Sequence, residues 1–108
     1  MATSLTLDTT RRNDGKLVLT AAGEIDLSNI DAFSQALTAA TSEAAGSDET
    51  LTVDLSGVEY LDSAAVNVLF ARADHIRLIA HPLLMSIFTV SGLAELVPIE
   101  LAPTTAEH

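Results

Sequence analysis

The sequence predicts an α/β fold: a single mixed sheet of four to five strands, with about three to four helices packed mainly on one face. Three observations carry this. Segments that alternate polar and apolar residues take turns with segments whose apolar residues recur every three or four positions. The first two alternating segments flank Asn13-Asp14-Gly15, a turn signal, so they form an antiparallel hairpin ahead of the β-α alternation. Hydrophobic residues make up 48% of the 108 residues and aromatic ones only 4%, which gives one domain with a core of Leu, Val, Ile and Ala.

The elements follow in order. Residues 4–9 place Leu5 and Leu7 on one face of a half-buried strand, and Leu17, Leu19 and Ala21 do the same for its hairpin partner, which Gly23 ends. Ser28, with Asp31 three residues on, forms a near capping box for a helix over about 29–45, whose apolar face is Ile30, Phe33, Leu37, Ala40 and Ala44. Gly46-Ser47-Asp48 breaks it. Leu51, Val53 and Leu55 mark a third strand, followed by a loop through Gly57 and Tyr60. Val66, Leu69, Phe70 and Ala73 define a second helix over about 63–75. Residues 76–80 form a short buried strand. Pro82 opens a third helix carrying Leu84, Ile87 and Phe88, and Gly92 suits its C-terminus. Residues 97–101 are expected to form a last strand. The single domain is expected to span 1–108, with an ordered core of about 4–102 and a frayed tail.

Composition excludes several function classes. The formal net charge is −10, with Arg11, Arg12, Lys16, Arg72 and Arg77 as the basic residues. A chain so short of cations cannot present the basic face that nucleic acid or an anionic membrane demands, so neither direct nucleic-acid binding nor membrane insertion is expected. The acidity serves solubility or steers the protein toward a basic protein partner. The absence of cysteine excludes disulfides, thiol catalysis and thiolate metal sites. No stretch has the length of a membrane span, and the N-terminus lacks the basic start and long apolar core of a signal peptide, so a cytoplasmic location is expected. His75, His81 and His108 are spaced for neither a metal site nor a triad with Ser63, no Gly-x-Ser-x-Gly surrounds Ser63, and no glycine-rich phosphate loop is present. No catalytic residue, metal or cofactor is therefore assigned. Asp54 stands near the end of the third strand as a phospho-acceptor aspartate would, but Asp8 stands alone and Lys16 is the last lysine, so a receiver domain is rejected; Asp54, opposite Leu51, Val53 and Leu55, is expected to face solvent or contact a loop.

The segment LSGVEYLDSAAVNVL, residues 55–69, turns from one apolar element into the next through Asp62 and Ser63. Two readings stand. Both residues suit a helix N-cap, where their oxygens accept orphan backbone N–H groups. A phosphoryl group on Ser63 would also meet exposed N–H donors and the helix dipole, while adding about −1.5 to −2 charges beside Asp62. That would change the surface potential sharply, as a binding switch requires.

Three blocks now resemble a known family: GEIDLSNIDAF (23–33), VDLSGVEYLDSAAVNVL (53–69) and HPLLMSIFTVSGL (81–93). In this order and spacing they resemble a STAS domain of the anti-sigma factor antagonist type, over nearly the whole chain. The resemblance implies the STAS fold. It also implies a non-enzymatic protein that binds an anti-sigma factor of the serine-kinase type and so releases a sigma factor, in a bacterial partner-switching stress response. The kinase would phosphorylate Ser63 and end binding; a phosphatase would restore it. Asp62 matches the aspartate before the acceptor serine, and Asp26 the aspartate of the first block. Ser28, Asn29, Ala64 and Asn67 complete the implied partner-binding face with Asp26, Asp62 and Ser63. A monomer or weak dimer is expected. The family usually continues Asp-Ser-Ser/Thr-Gly-Leu, whereas this chain continues Asp62-Ser63-Ala64-Ala65-Val66. Alanine in place of glycine stiffens the helix start by about 1 kcal/mol. This departure bears on phosphorylation more than on binding, and it leaves an alternative: a non-phosphorylated STAS scaffold subunit of a transport or stress-signalling assembly.

Overall fold

The computed structural model describes residues 4–102. The expected fraying of the tail, 103–108, lies outside the described residues. The chain runs β1 (Leu5–Arg11), β2 (Leu17–Ile25), α1 (Ile30–Gly46), β3 (Leu51–Leu61), α2 (Ser63–Ala71), a 3-10 turn (Ala73–His75), β4 (Ile76–Ala80), a second 3-10 turn (Pro82–Leu84), α3 (Met85–Ser91), α4 (Leu93–Leu96) and β5 (Ile99–Leu101). The strands form one five-stranded sheet in the order β1-β2-β3-β4-β5. The β1–β2 pair is antiparallel and every later pair is parallel, so the expected mixed α/β sheet is present.

Alternation decides the two faces. Leu19, Val53, Leu78 and Ile99 lie side by side across the sheet, and their row belongs to the face that meets the helices. Phe33, Leu37, Ala40 and Ala44 of α1, Ala65, Val66 and Leu69 of α2, Phe88 of α3 and Leu93 of α4 complete one core. The next row, Val18, Thr52 and Arg77, points to the other face. Arg11 reaches over the end of α1 and pairs with Glu43 (3.5 Å) and Glu49 (3.4 Å), while Glu49 Oε1 accepts the Leu17 N–H (3.1 Å). These bonds fasten the hairpin to the α1–β3 connection.

Several expected boundaries move. β2 does not stop at Gly23: that residue takes φ +108° and continues the strand to Ile25, because its missing side chain admits the Ser4 carbonyl, which accepts the Glu24 N–H (2.9 Å). The expected loop through Gly57 and Tyr60 is strand. Pairing with β2 shifts between Thr20 and Ala22 and again between Gly23 and Glu24, each time leaving one extra residue on β3. These bulges break the alternation of β3 while its pairing continues to Leu61. The second helix ends at Ala71 and tightens into the 3-10 turn at Ala73–His75. The third helix starts at Pro82 and ends at Gly92, φ +87°, as expected, but it is two pieces, the 3-10 turn and α3; the short α4 after Gly92 is unexpected. β5 is shorter than expected, beginning at Ile99.

Candidate functional site

The carboxyl ends of β2 and β3 lie side by side, with Ile25 opposite Leu61. Each strand leads directly through an aspartate into the next helix: Asp26 into the loop before α1, Asp62 into α2. Clefts beyond the carboxyl ends of parallel strands are where α/β sheets expose loop backbone and helix starts to ligands and partners.

Asp62 is the hub. Its Oδ1 accepts the N–H groups of Ala64 (3.0 Å) and Ala65 (3.3 Å), which caps α2. Its Oδ2 accepts the Leu27 N–H (3.2 Å) from the neighbouring loop, and its own N–H donates to the Ile25 carbonyl (3.1 Å). One half-buried carboxylate thus holds two connections together. Of the N–H donors that a Ser63 phosphoryl group is expected to meet, those of Ala64 and Ala65 already donate to the side chain of Asp62.

The loop before α1 folds around the other expected residues. Asp26 Oδ1 accepts from both the Ser28 N–H (2.9 Å) and the Ser28 hydroxyl (2.6 Å). Asn29 closes the loop in the reverse direction, its Oδ1 accepting the Asp26 N–H (3.0 Å) and its Nδ2 donating to the Glu24 carbonyl (2.9 Å). The expected capping box at Ser28 therefore does not form. Asn29 holds the N-cap position of α1, and its side chain braces the loop in place of the helix.

Ser63 is the first residue of α2 and is exposed, and its hydroxyl forms no hydrogen bond among the described residues. Asn67 stands one turn along, also exposed. Both line a groove of about 560 Å³ between α2 and α3, whose apolar wall is Leu61, Val66, Phe70, Ile87 and Val90. Val90 is 87% exposed, and Leu27, in the loop that Asp62 holds, is 74% exposed. The structure brings Asp26, Ser28, Asn29, Asp62, Ser63, Ala64 and Asn67, which sequence reasoning singles out, together about the carboxyl ends of β2 and β3; the groove is a feature that sequence reasoning misses. The signal for it is the run LLMSIFTV, which carries more apolar residues than one buried helix face needs. Asp54, away from this site, accepts the N–H (2.9 Å) and hydroxyl (2.6 Å) of Ser56. Ser56 lies within β3, so Asp54 braces the bulged stretch of its own strand instead of contacting a loop as expected.

The family model described as Mlab, STAS domain matches residues 9–98. The chain belongs to the STAS domain family. A comparison with curated proteins gives no match. Among solved structures, this STAS domain is similar to an anti-sigma factor antagonist from Mycobacterium paratuberculosis, with 28% identity over 94% of this chain and 88% of that one, and a TM-score of 0.78. It also shares its fold with the Bacillus cell fate determinant SpoIIAA in the phosphorylated form (17% identity, 91% and 92% of the two chains, TM-score 0.64). The anti-sigma factor antagonist SpoIIAA in its unphosphorylated form is similar to the same degree (18%, 93% and 89%, 0.66). The expected STAS fold and the resemblance to anti-sigma factor antagonists are both met.

Proposed function

We propose that this STAS domain is an anti-sigma factor antagonist: it binds an anti-sigma factor of the serine-kinase type, so that a sigma factor is released, and phosphorylation of Ser63 ends the binding. The observation that supports this most is the setting of Ser63. Its hydroxyl is exposed, unbonded among the described residues and placed at the rim of an apolar groove. Leu27 and Val90 offer apolar contact on either side, and the overall charge of −10 attracts a basic partner. A phosphoryl group there lands beside the Asp62 carboxylate, whose helix-capping bonds leave it no freedom to move aside. Phosphorylation then acts by charge on a fixed surface. No part of this role requires chemistry by the protein itself.

Bait experiments in lysate of the native host test the reading, with wild type and Ser63→Asp in parallel and mass spectrometry of the captured proteins. The expected result is an ATP-binding kinase-type anti-sigma factor held by wild type and lost from Ser63→Asp, a loss of a few kcal/mol in binding, about 100-fold in Kd. Identical partners on both baits would sink the switch. The fully buried Ala65 and the self-sufficient cap by Asp62 favour a second reading, in which Ser63 stays unmodified and the domain is a constitutive scaffold subunit of a transport or stress-signalling assembly. Capture of the same assembly by both baits supports that reading.

A further inference from the structure

A second feature lies on the sheet face turned away from the helices, at the amino ends of the parallel strands, whereas Ser63 follows the carboxyl end of β3. A hollow of about 160 Å³ opens there, lined by Arg12, Asp14 and Lys16 of the hairpin turn, Thr52 of β3, Arg77 and Ile79 of β4, and Glu100 of β5. Arg12, Lys16 and Arg77 are three of the five basic residues in a chain of net charge −10. The other two are occupied elsewhere: Arg11 pairs with Glu43 and Glu49, and Arg72 donates to the Thr38 hydroxyl (2.9 Å). The side chains of Arg12, Lys16 and Arg77 form no salt bridge or hydrogen bond among the described residues. Thr52 adds a further observation. The residue is only 3% exposed, yet its hydroxyl, with no protein partner among the described residues, is not a buried unsatisfied group and so opens onto the hollow that it lines. A bound anion could take the place of water on it.

We propose that this hollow is an oxyanion subsite that takes a single phosphate group, as inorganic phosphate or a small phosphomonoester. Three cationic heads and one hydroxyl match a tetrahedral anion that accepts from several directions. Asp14, whose Oδ1 already accepts the Lys16 N–H (3.0 Å), and Glu100 leave the hollow a surplus of one positive charge. That balances one small anion. A polyanion such as nucleic acid brings more charge than the hollow can meet and lies against an acidic surface. The subsite is independent of the Ser63 switch.

The test is an amide NMR titration of the full chain with sodium phosphate, against sodium chloride at matched ionic strength, with glycerol phosphate as a second arm. Saturable shifts centred on Lys16, Thr52 and Arg77 are expected. Arg77→Gln should weaken phosphate about twelvefold and Thr52→Val about threefold, the size of one lost charged or neutral hydrogen bond; Arg72→Gln should leave it unchanged. Tighter binding of glycerol phosphate identifies the ligand as a phosphomonoester, and equal or weaker binding as the free anion. Shifts that fail to saturate, that chloride reproduces, or that Arg77→Gln leaves intact overturn the proposal. Lys16→Gln, on an exposed turn, carries the same test should Arg77→Gln not fold.

Discussion

Asp62 and Ser63 are neighbours with opposite obligations. The carboxylate of Asp62 serves three backbone N–H groups on two segments, while the hydroxyl of Ser63 serves none among the described residues. The capping role thus falls to Asp62, and the switching role proposed above to its neighbour Ser63. Asp62→Ala should cost about 1–2 kcal/mol, from the lost cap and the unpaired Leu27 N–H, whereas Ser63→Ala should stay within about 0.5 kcal/mol. Urea denaturation of both variants checks this, and a Ser63→Ala loss equal to that of Asp62→Ala would contradict the division. The sequence shows both residues at a helix start, where Asp and Ser are each good caps. Choosing between them depends on which side chain points back along the helix, and residue type does not specify that.

At the scale of elements, α2 is anchored through its first turn. Ala65, where the family usually has glycine, is fully buried against the core. Restoring glycine removes a packed methyl and raises the cost of helix formation. Ala65→Gly should lower stability by about 1–2 kcal/mol and Tm by about 5–10 °C, read by thermal unfolding. No change in Tm would mean the methyl is not packed as described. Helices with a clear apolar face, α1 above all, are legible in the sequence to within a residue at each end. The second half of β3 is not, because its two bulges remove the period of two by which a strand is recognised. The third helix is legible in its start at Pro82 and its end at Gly92, but its division into a 3-10 turn and α3, and the short α4 beyond Gly92, are not. The groove beside Ser63 escapes for a related reason: the surplus of apolar residues in LLMSIFTV shows that α3 has a second apolar face, but not that this face opens beside α2.

At the scale of the whole molecule, a charge of −10 on 108 residues opposes compactness. The ion pairs that offset it, from Arg11 to Glu43 and Glu49, are solvent-accessible, with only Glu49 half-buried, and so contribute little, about 0–1 kcal/mol each. Screening should therefore help more than it harms: the urea midpoint should rise between low salt and about 0.15 M. A midpoint that falls instead would mean that local pairs outweigh the general repulsion. The same screening should slow association with a basic partner.

The strand order carries one more consequence. Position in the sheet follows position in the chain, from β1 to β5, with no strand inserted between two earlier ones. As the polypeptide leaves the ribosome, each new strand meets an edge already built, and no segment must wait for one not yet synthesised. The hairpin gives this growth a local starting point, since its closure spans only the short turn at Asn13-Asp14-Gly15. The sheet can thus be assembled vectorially, and the Asp62 junction closes as soon as α2 has emerged, before β4 and β5 exist.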